Sequence, residues 1–260
     1  MLYDKMMDEI CSITNGKKNC SDVIMEILQK KSGFVQGKVE DGTIKKYNRE
    51  ELLYYKLYTH QLAPFEKKTE STLCPFVNID VNFGILWGES DKTIDMDEYL
   101  LHTEKRMVFG VEVLGLSPVH EFIAMCLHHY KDMNSIYLLA ERGLNLNGFF
   151  DIYYFLVNVR PDLDELCDVA GNYHVKEYVY YCVFFANEIF RHPYLVEYLD
   201  RLETPQALTM LESYGLCNAE RNKWTIPFSE RLLDKDFKYR FLKDLGDYEI
   251  QKISTNRHFM

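Results

Sequence analysis

The stretch Phe76-Val77-Asn78-Ile79-Asp80-Val81-Asn82-Phe83-Gly84-Ile85-Leu86-Trp87 decides how this chain is read. Side chains of a strand alternate between its two faces with period two. Val77, Ile79, Val81, Phe83, Ile85 and Trp87 therefore share one face, and Asn78, Asp80 and Asn82 share the other. The expectation is one long strand that buries its apolar side and shows a carboxylate flanked by two amides. Such a face suits a hard divalent cation, because Mg2+ takes oxygen ligands and fills its shell with waters and substrate phosphates. It equally suits the solvated face of an antiparallel sheet, where the three residues need no ligand. Alternation alone favours the solvated face.

Upstream, the first thirty residues read as helix. Ser21 is the expected N-cap, Ile24, Ile27 and Leu28 form an apolar stripe, and Gly33 stands where a left-handed residue ends the helix. Phe34 to Val39 and Thr43 to Lys46 flank Asp41-Gly42, a dipeptide that tolerates the two positive φ angles of a type I′ hairpin turn. Asn48 with Glu51 forms a near capping box that opens a helix from Arg49 to about His60. Pro64 stops it, and Phe65 to Thr69 can pair with the segment after Pro75.

Downstream, a short helix is expected near Asp95 to His102, then strands at Met107 to Phe109 and Val111 to Val113 around Gly110. From Pro118 the pattern turns helical, since Pro is tolerated in a first helical turn. Helices are expected at His120 to Tyr130, Leu146 to Val159, Asp162 to Ala170, Val175 to Arg191 and Pro205 to Ser213, followed by a polar, irregular tail. The fold class is α+β. An incomplete mixed or antiparallel sheet with flanking helices fills residues 1–116, an all-helical domain 117–220, and a C-terminal extension 221–260.

The 260 residues are 47% hydrophobic and 14% aromatic, enough to bury a core and exclude wholesale disorder. No apolar run reaches the roughly 18 residues of a membrane span, and no signal-peptide pattern opens the chain. A soluble cytoplasmic protein is expected. Its formal charge of −10 disfavours general nucleic-acid binding. The seven cysteines, Cys11, Cys20, Cys74, Cys126, Cys167, Cys182 and Cys217, show no CxxC spacing and read as structural thiols. No Walker loop, GxGxxG, HExxH or GxSxG occurs. His128-His129 invites a metal reading, but neighbouring helical residues point about 100° apart. His129 with Asp132 has ligand spacing, and a hydrogen-bonded interdomain histidine is the favoured reading.

Several segments together resemble a known family. They are Gly33-Phe-Val-Gln-Gly37, Arg49-Glu-Glu51, His60-Gln-Leu-Ala-Pro-Phe65 and Asn78-Ile-Asp-Val-Asn-Phe83 with Trp87. Ser117-Pro-Val-His-Glu-Phe122, Leu127-His-His-Tyr-Lys131, Phe149-Phe-Asp-Ile-Tyr-Tyr154, Trp224 and Glu230-Arg-Leu-Leu233 continue the match. The chain is similar over about residues 30–235 to the uncharacterised nucleotidyltransferase family of the DNA polymerase β-like superfamily.

The resemblance implies Mg2+-dependent transfer of a nucleotidyl group from an NTP to an acceptor hydroxyl. In that superfamily an Asp-x-Asp strand and a third carboxylate hold the metal ions. Asp80 matches the third carboxylate and is the candidate catalytic and metal-binding residue, with Asn78 and Asn82 as cofactor-binding residues. The Gly-Ser loop and Asp-x-Asp strand have no counterpart in the thirty residues before Gly33, which carry Asp4, Asp8 and Glu9 in a helical context. A truncated or degenerate enzyme is therefore expected. The alternative is a non-catalytic binding or scaffold protein that retains the fold and takes a protein partner. An Asp80 facing an open cleft supports the enzyme; a solvated, unclustered Asp80 beside an exposed aromatic patch supports the binding protein.

Overall fold

A computed structural model describes residues 24–58, 61–86, 90–141, 143–217 and 221–257. Ser21, Cys11, Cys20, His60 and Trp87 lie outside these residues. The chain divides into two compact units, the first ending at Phe83 and the second beginning at Gly84.

In the first unit a wide helical turn, Glu26–Lys31, closes with Ser32 N–H donating to Ile27 O and is followed by Gly33 at φ 71°. A four-stranded sheet follows in the order β2-β1-β3-β4, with β1 Val35–Glu40, β2 Thr43–Lys46, β3 Phe65–Lys68 and β4 Phe76–Ile79. Every described pairing in it is antiparallel, so the mixed component of the expected sheet is absent among the described residues. Asp41 and Gly42 both take positive φ, as the type I′ turn requires. Asn48 caps the helix Arg49–Tyr58. Its side chain accepts from the N–H groups of Glu50 and Glu51, and Glu51 accepts from Asn48 N–H at 2.7 Å.

The expected long strand is short. Regular pairing of β4 ends at Ile79, and the segment touches its neighbour again only at an isolated bridge from Asn82 to Gln61. The register explains the break. Phe65 faces Ile79, but Gln61 faces Asn82, so three residues on one side oppose two on the other. Pro64 lies in that interval. It has no N–H to offer, and its carbonyl accepts from Gly37 of β1. The apolar face is also not buried as alternation suggests: Val77 and Phe83 are exposed, and Ile79 and Val81 are half-buried. β4 is an edge strand that one neighbour holds for four residues.

The second unit opens with the helical turn Met96–Tyr99, capped by the Asp95 carboxylate. The hairpin β5 Thr103–Val108 and β6 Val111–Leu116 follows, turning through Phe109 and Gly110 at positive φ. Helices Pro118–Asn134, Ile136–Glu141, Leu146–Asn158, Leu163–Asn172, Lys176–Phe190, Pro193–Leu202 and Pro205–Met210 form the bulk of it. Lys176–Phe190 is central. Tyr178 to Val183, Phe185 and Ala186 are all buried, the pattern of a helix covered on every side. It packs on Pro118–Asn134, Leu146–Asn158, Pro193–Leu202 and Pro205–Met210. Cys126 and Cys182 are fully buried here, the Cys182 thiol donating to the Cys126 carbonyl at 3.1 Å. Burial pushes the Cys182 pKa up, which keeps it an unreactive thiol.

The segment read as an irregular tail is ordered. It pairs Asn222–Lys223 (β8) with Ser213–Tyr214 (β7) and forms helices Phe228–Leu233, Phe237–Asp244 and Asp247–Arg257. Phe237, Phe241 and Ile253 pack with Leu139, Ala140, Tyr214 and Ile226 as a second apolar cluster. Few apolar residues carry these helices, and two of them, Phe237 and Phe241, share a face one turn apart. Composition concealed that pattern.

Candidate functional site

Strand pairing places the polar residues of β3 and β4. Glu66 faces Asn78 directly, and the Asn78 amide donates to Glu66 Oε1 at 2.8 Å. Direct partners in an antiparallel ladder project on the same side. Val35, Glu66 and Asn78 thus share one face, and Gln36, Phe65 and Ile79 the other. The first half of β3 is covered on both sides, with Phe65 at 0% and Glu66 at 8% exposure, and Lys67 and Lys68 are exposed. Asp80 follows the last paired residue of β4 and is exposed, as is Asn82 beyond it.

The three residues singled out on sequence therefore differ in circumstance. Asn78 is engaged with a carboxylate, Asp80 is open, and Asn82 belongs to a separate bridge. Glu66 is the residue that the sequence reading passed over. Its signal was the alternation Pro64-Phe65-Glu66-Lys67, which sets a carboxylate opposite a buried phenylalanine on an inner strand.

Mg2+ is commonly held by one or two carboxylates together with waters and phosphate oxygens. An exposed Asp80 fits that role. No group of three His, Cys, Asp or Glu side chains that could hold a metal occurs among the described residues.

The histidines divide between structural roles. The His129 ring is 5% exposed and meets Phe149 edge-on, centroids 4.5 Å apart, with no partner at Nε2 among the described residues. The expectation of a hydrogen-bonded interdomain histidine is corrected: the ring packs inside the second unit. Gly148 makes room for it, since a Cβ there would collide with the imidazole. His120 stacks on His102 at 4.0 Å with the rings nearly parallel, and its Nδ1 lies 2.8 Å from Ser117 Oγ. Glu98 joins this group through His102 Nε2 at 3.1 Å and through the Tyr173 hydroxyl. Burial, then the neighbouring His102 charge, lowers the His120 pKa. A serine beside a histidine has the composition of a nucleophile and base. Here His120 is 3% exposed and His102, Tyr99 and Tyr173 lie against its ring, while Ser117 is half-buried, so the imidazole is packed among rings on the inner side of the pair.

Trp224 and Arg231, apart in sequence, meet in the second unit. The Arg231 guanidinium is 4.0 Å from the Trp224 ring centroid, with Phe185 and Phe228 at 5.3 and 5.4 Å. A hollow of about 380 Å³ is lined by Tyr137, Cys217, Arg221, Tyr248 and Lys252, among others. Arg221 donates to Ser213 Oγ, Ser213 O, Gly215 O and the Tyr130 hydroxyl, so its charge is spent on its own unit.

The sequence profile of a family described as uncharacterised nucleotidyltransferase matches residues 24–191, more than half of the chain. The protein belongs to that family. The match includes β1 to β4 and Asp80 and ends before Trp224 and Arg231. No curated protein and no solved structure matches the chain. No helix among the described residues is long and apolar enough to cross a membrane.

Proposed function

We propose that the protein transfers a nucleotidyl group from an NTP to an acceptor hydroxyl, with Mg2+ and with Asp80 contributing one metal-ligating oxygen. The acceptor oxygen bonds to the α-phosphorus as its hydroxyl proton passes to solvent, the α–β bridging P–O bond breaks, and pyrophosphate leaves with the electron pair. Bound Mg2+ supplies charge stabilisation on the phosphate oxygens. Asp80 offers an exposed carboxylate at the end of β4. Asn78 orients the Glu66 carboxylate on the same sheet face. The observation that carries the reading is the nucleotidyltransferase profile match over the segment that holds Asp80; a solvated Asp80 outside any cluster of metal-ligating side chains among the described residues weighs for the binding protein.

The second reading is a binding protein that keeps the fold without the chemistry. The exposed hairpin tip at Phe109 favours it, because large exposed apolar side chains suit partner surfaces.

Thermal unfolding of wild type and Asp80→Asn, with and without Mg2+ plus each NTP, separates the two. The transferase reading expects a rise in Tm for wild type with at least one Mg2+–NTP pair, absent or much reduced in Asp80→Asn. No rise with any pair, or an equal rise in both proteins, removes Asp80 from the site and leaves the binding-protein reading.

A further inference from the structure

We propose that the outer edge of β6 pairs with the same edge of a second copy of this chain, antiparallel about a twofold axis at Val113. The hairpin β5-β6 is a sheet of only two strands among the described residues. A two-stranded ribbon alone is marginal in water, and a third strand is the usual remedy. Its apolar side chains are conspicuously uncovered: Phe109 is fully exposed, and Met107, Val108, Val111 and Leu114 are exposed too.

Ladder geometry identifies the free groups. The two-residue turn makes Val108 and Val111 a hydrogen-bonded pair, and such pairs alternate along the ribbon. The bond from Ser117 N–H to His102 O, six residues from the turn, keeps that phase. Glu112 and Leu114 therefore aim their N–H and C=O groups away from β5, and these have no partner among the described residues. Leu116 shares that edge, but its carbonyl accepts from Arg106.

Charge then separates the two edges. On β5 a twofold pairing must set a residue opposite itself, and the central choices are Glu104, Lys105 and Arg106, like charges in each case. Like charges directly opposite are destabilising. On β6 a twofold at Val113 sets Val113 against Val113 and Glu112 against Leu114. Glu112 and Leu114 of each copy then exchange both backbone bonds with the other copy, four in all, and every free group of the pair is used. The result is a continuous four-stranded sheet with apolar side chains on its axis.

Sedimentation velocity on the full chain across a dilution series tests this. Wild type should dimerise, and added salt should tighten the dimer by screening the −10 charge carried by each copy. Val113→Lys and Val113→Glu, which place like charges on the axis, should each raise the dissociation constant by about tenfold or more. An equal mixture of the two should recover the dimer, because the axis then pairs Lys with Glu. Leu114→Pro removes an outward donor without touching the β5 ladder and should also yield monomer, so the test survives if the Val113 variants misfold. A wild type that stays monomeric, a dimer indifferent to all three substitutions, or a mixture that stays monomeric overturns the proposal.

Discussion

Burial holds the His129 imidazole at a pKa of about 4, with the Asp132 charge opposing the shift and the His128 charge adding to it. The folded protein therefore binds that proton less readily than the unfolded chain, whose histidine titrates near 6.5. Stability from the neutral ring is fully present above about pH 6.5 and is lost as pH falls towards 4. Over that interval the loss approaches about 3 kcal/mol. His129→Leu, measured by urea unfolding, should gain on wild type by up to that amount between pH 7 and pH 4. A difference that stays constant with pH would mean the ring is not the acid-sensitive group. Lowered by burial, the His120 pKa adds to the acid limb in both proteins and leaves this comparison intact. Neither ring's neighbours were legible in the sequence. His129 has ligand spacing to Asp132, yet its ring lies against Phe149 from another helix. Spacing along a helix fixes which residues share a face, not what that face meets.

Elements closed by local bonds match their sequence signals. The Asp41-Gly42 turn and the Asn48 cap are set by interactions within a few residues, whereas Phe109, read as the end of a strand, sits in the turn with Gly110 at positive φ. Asn48→Ala removes the acceptor for two helical N–H groups and should cost about 1 kcal/mol. Faster hydrogen exchange at the Glu50 and Glu51 amides is the direct readout, and unchanged rates would show that the cap is dispensable. β4 behaves otherwise. Its alternation extends to Trp87, but pairing requires a neighbour, and Pro64 with an extra residue ends that neighbour's regular course. Asp80 thus stands just past a strand end and not in the middle of a strand.

The whole molecule comprises two units, and the helical one holds two apolar clusters. The smaller cluster draws Phe237, Phe241 and Ile253 from the last forty residues together with Leu139 and Ala140 from the middle of the chain. Phe241→Ala should destabilise this cluster by about 3–5 kcal/mol. Trp224 lies 6.1 Å from Phe241 between ring centroids, so its fluorescence in a Trp87→Phe background reports the loss. An unchanged Trp224 transition would show that these last helices do not share in the fold's stability.

The sequence by itself determined the α+β class, the Asn48 cap, the Asp41-Gly42 turn, most of the helices and the family. Each depends on backbone sterics, on hydrogen bonds between near neighbours, or on a residue pattern carried along the chain. Only the tertiary structure decided that Glu66 is buried beside Asn78, that Asp80 is open, that His129 is dry and that residues 228–257 form three helices. Burial and strand pairing are set by what arrives from elsewhere in the chain, and a side chain's solvation, unlike its periodicity, is not a local property.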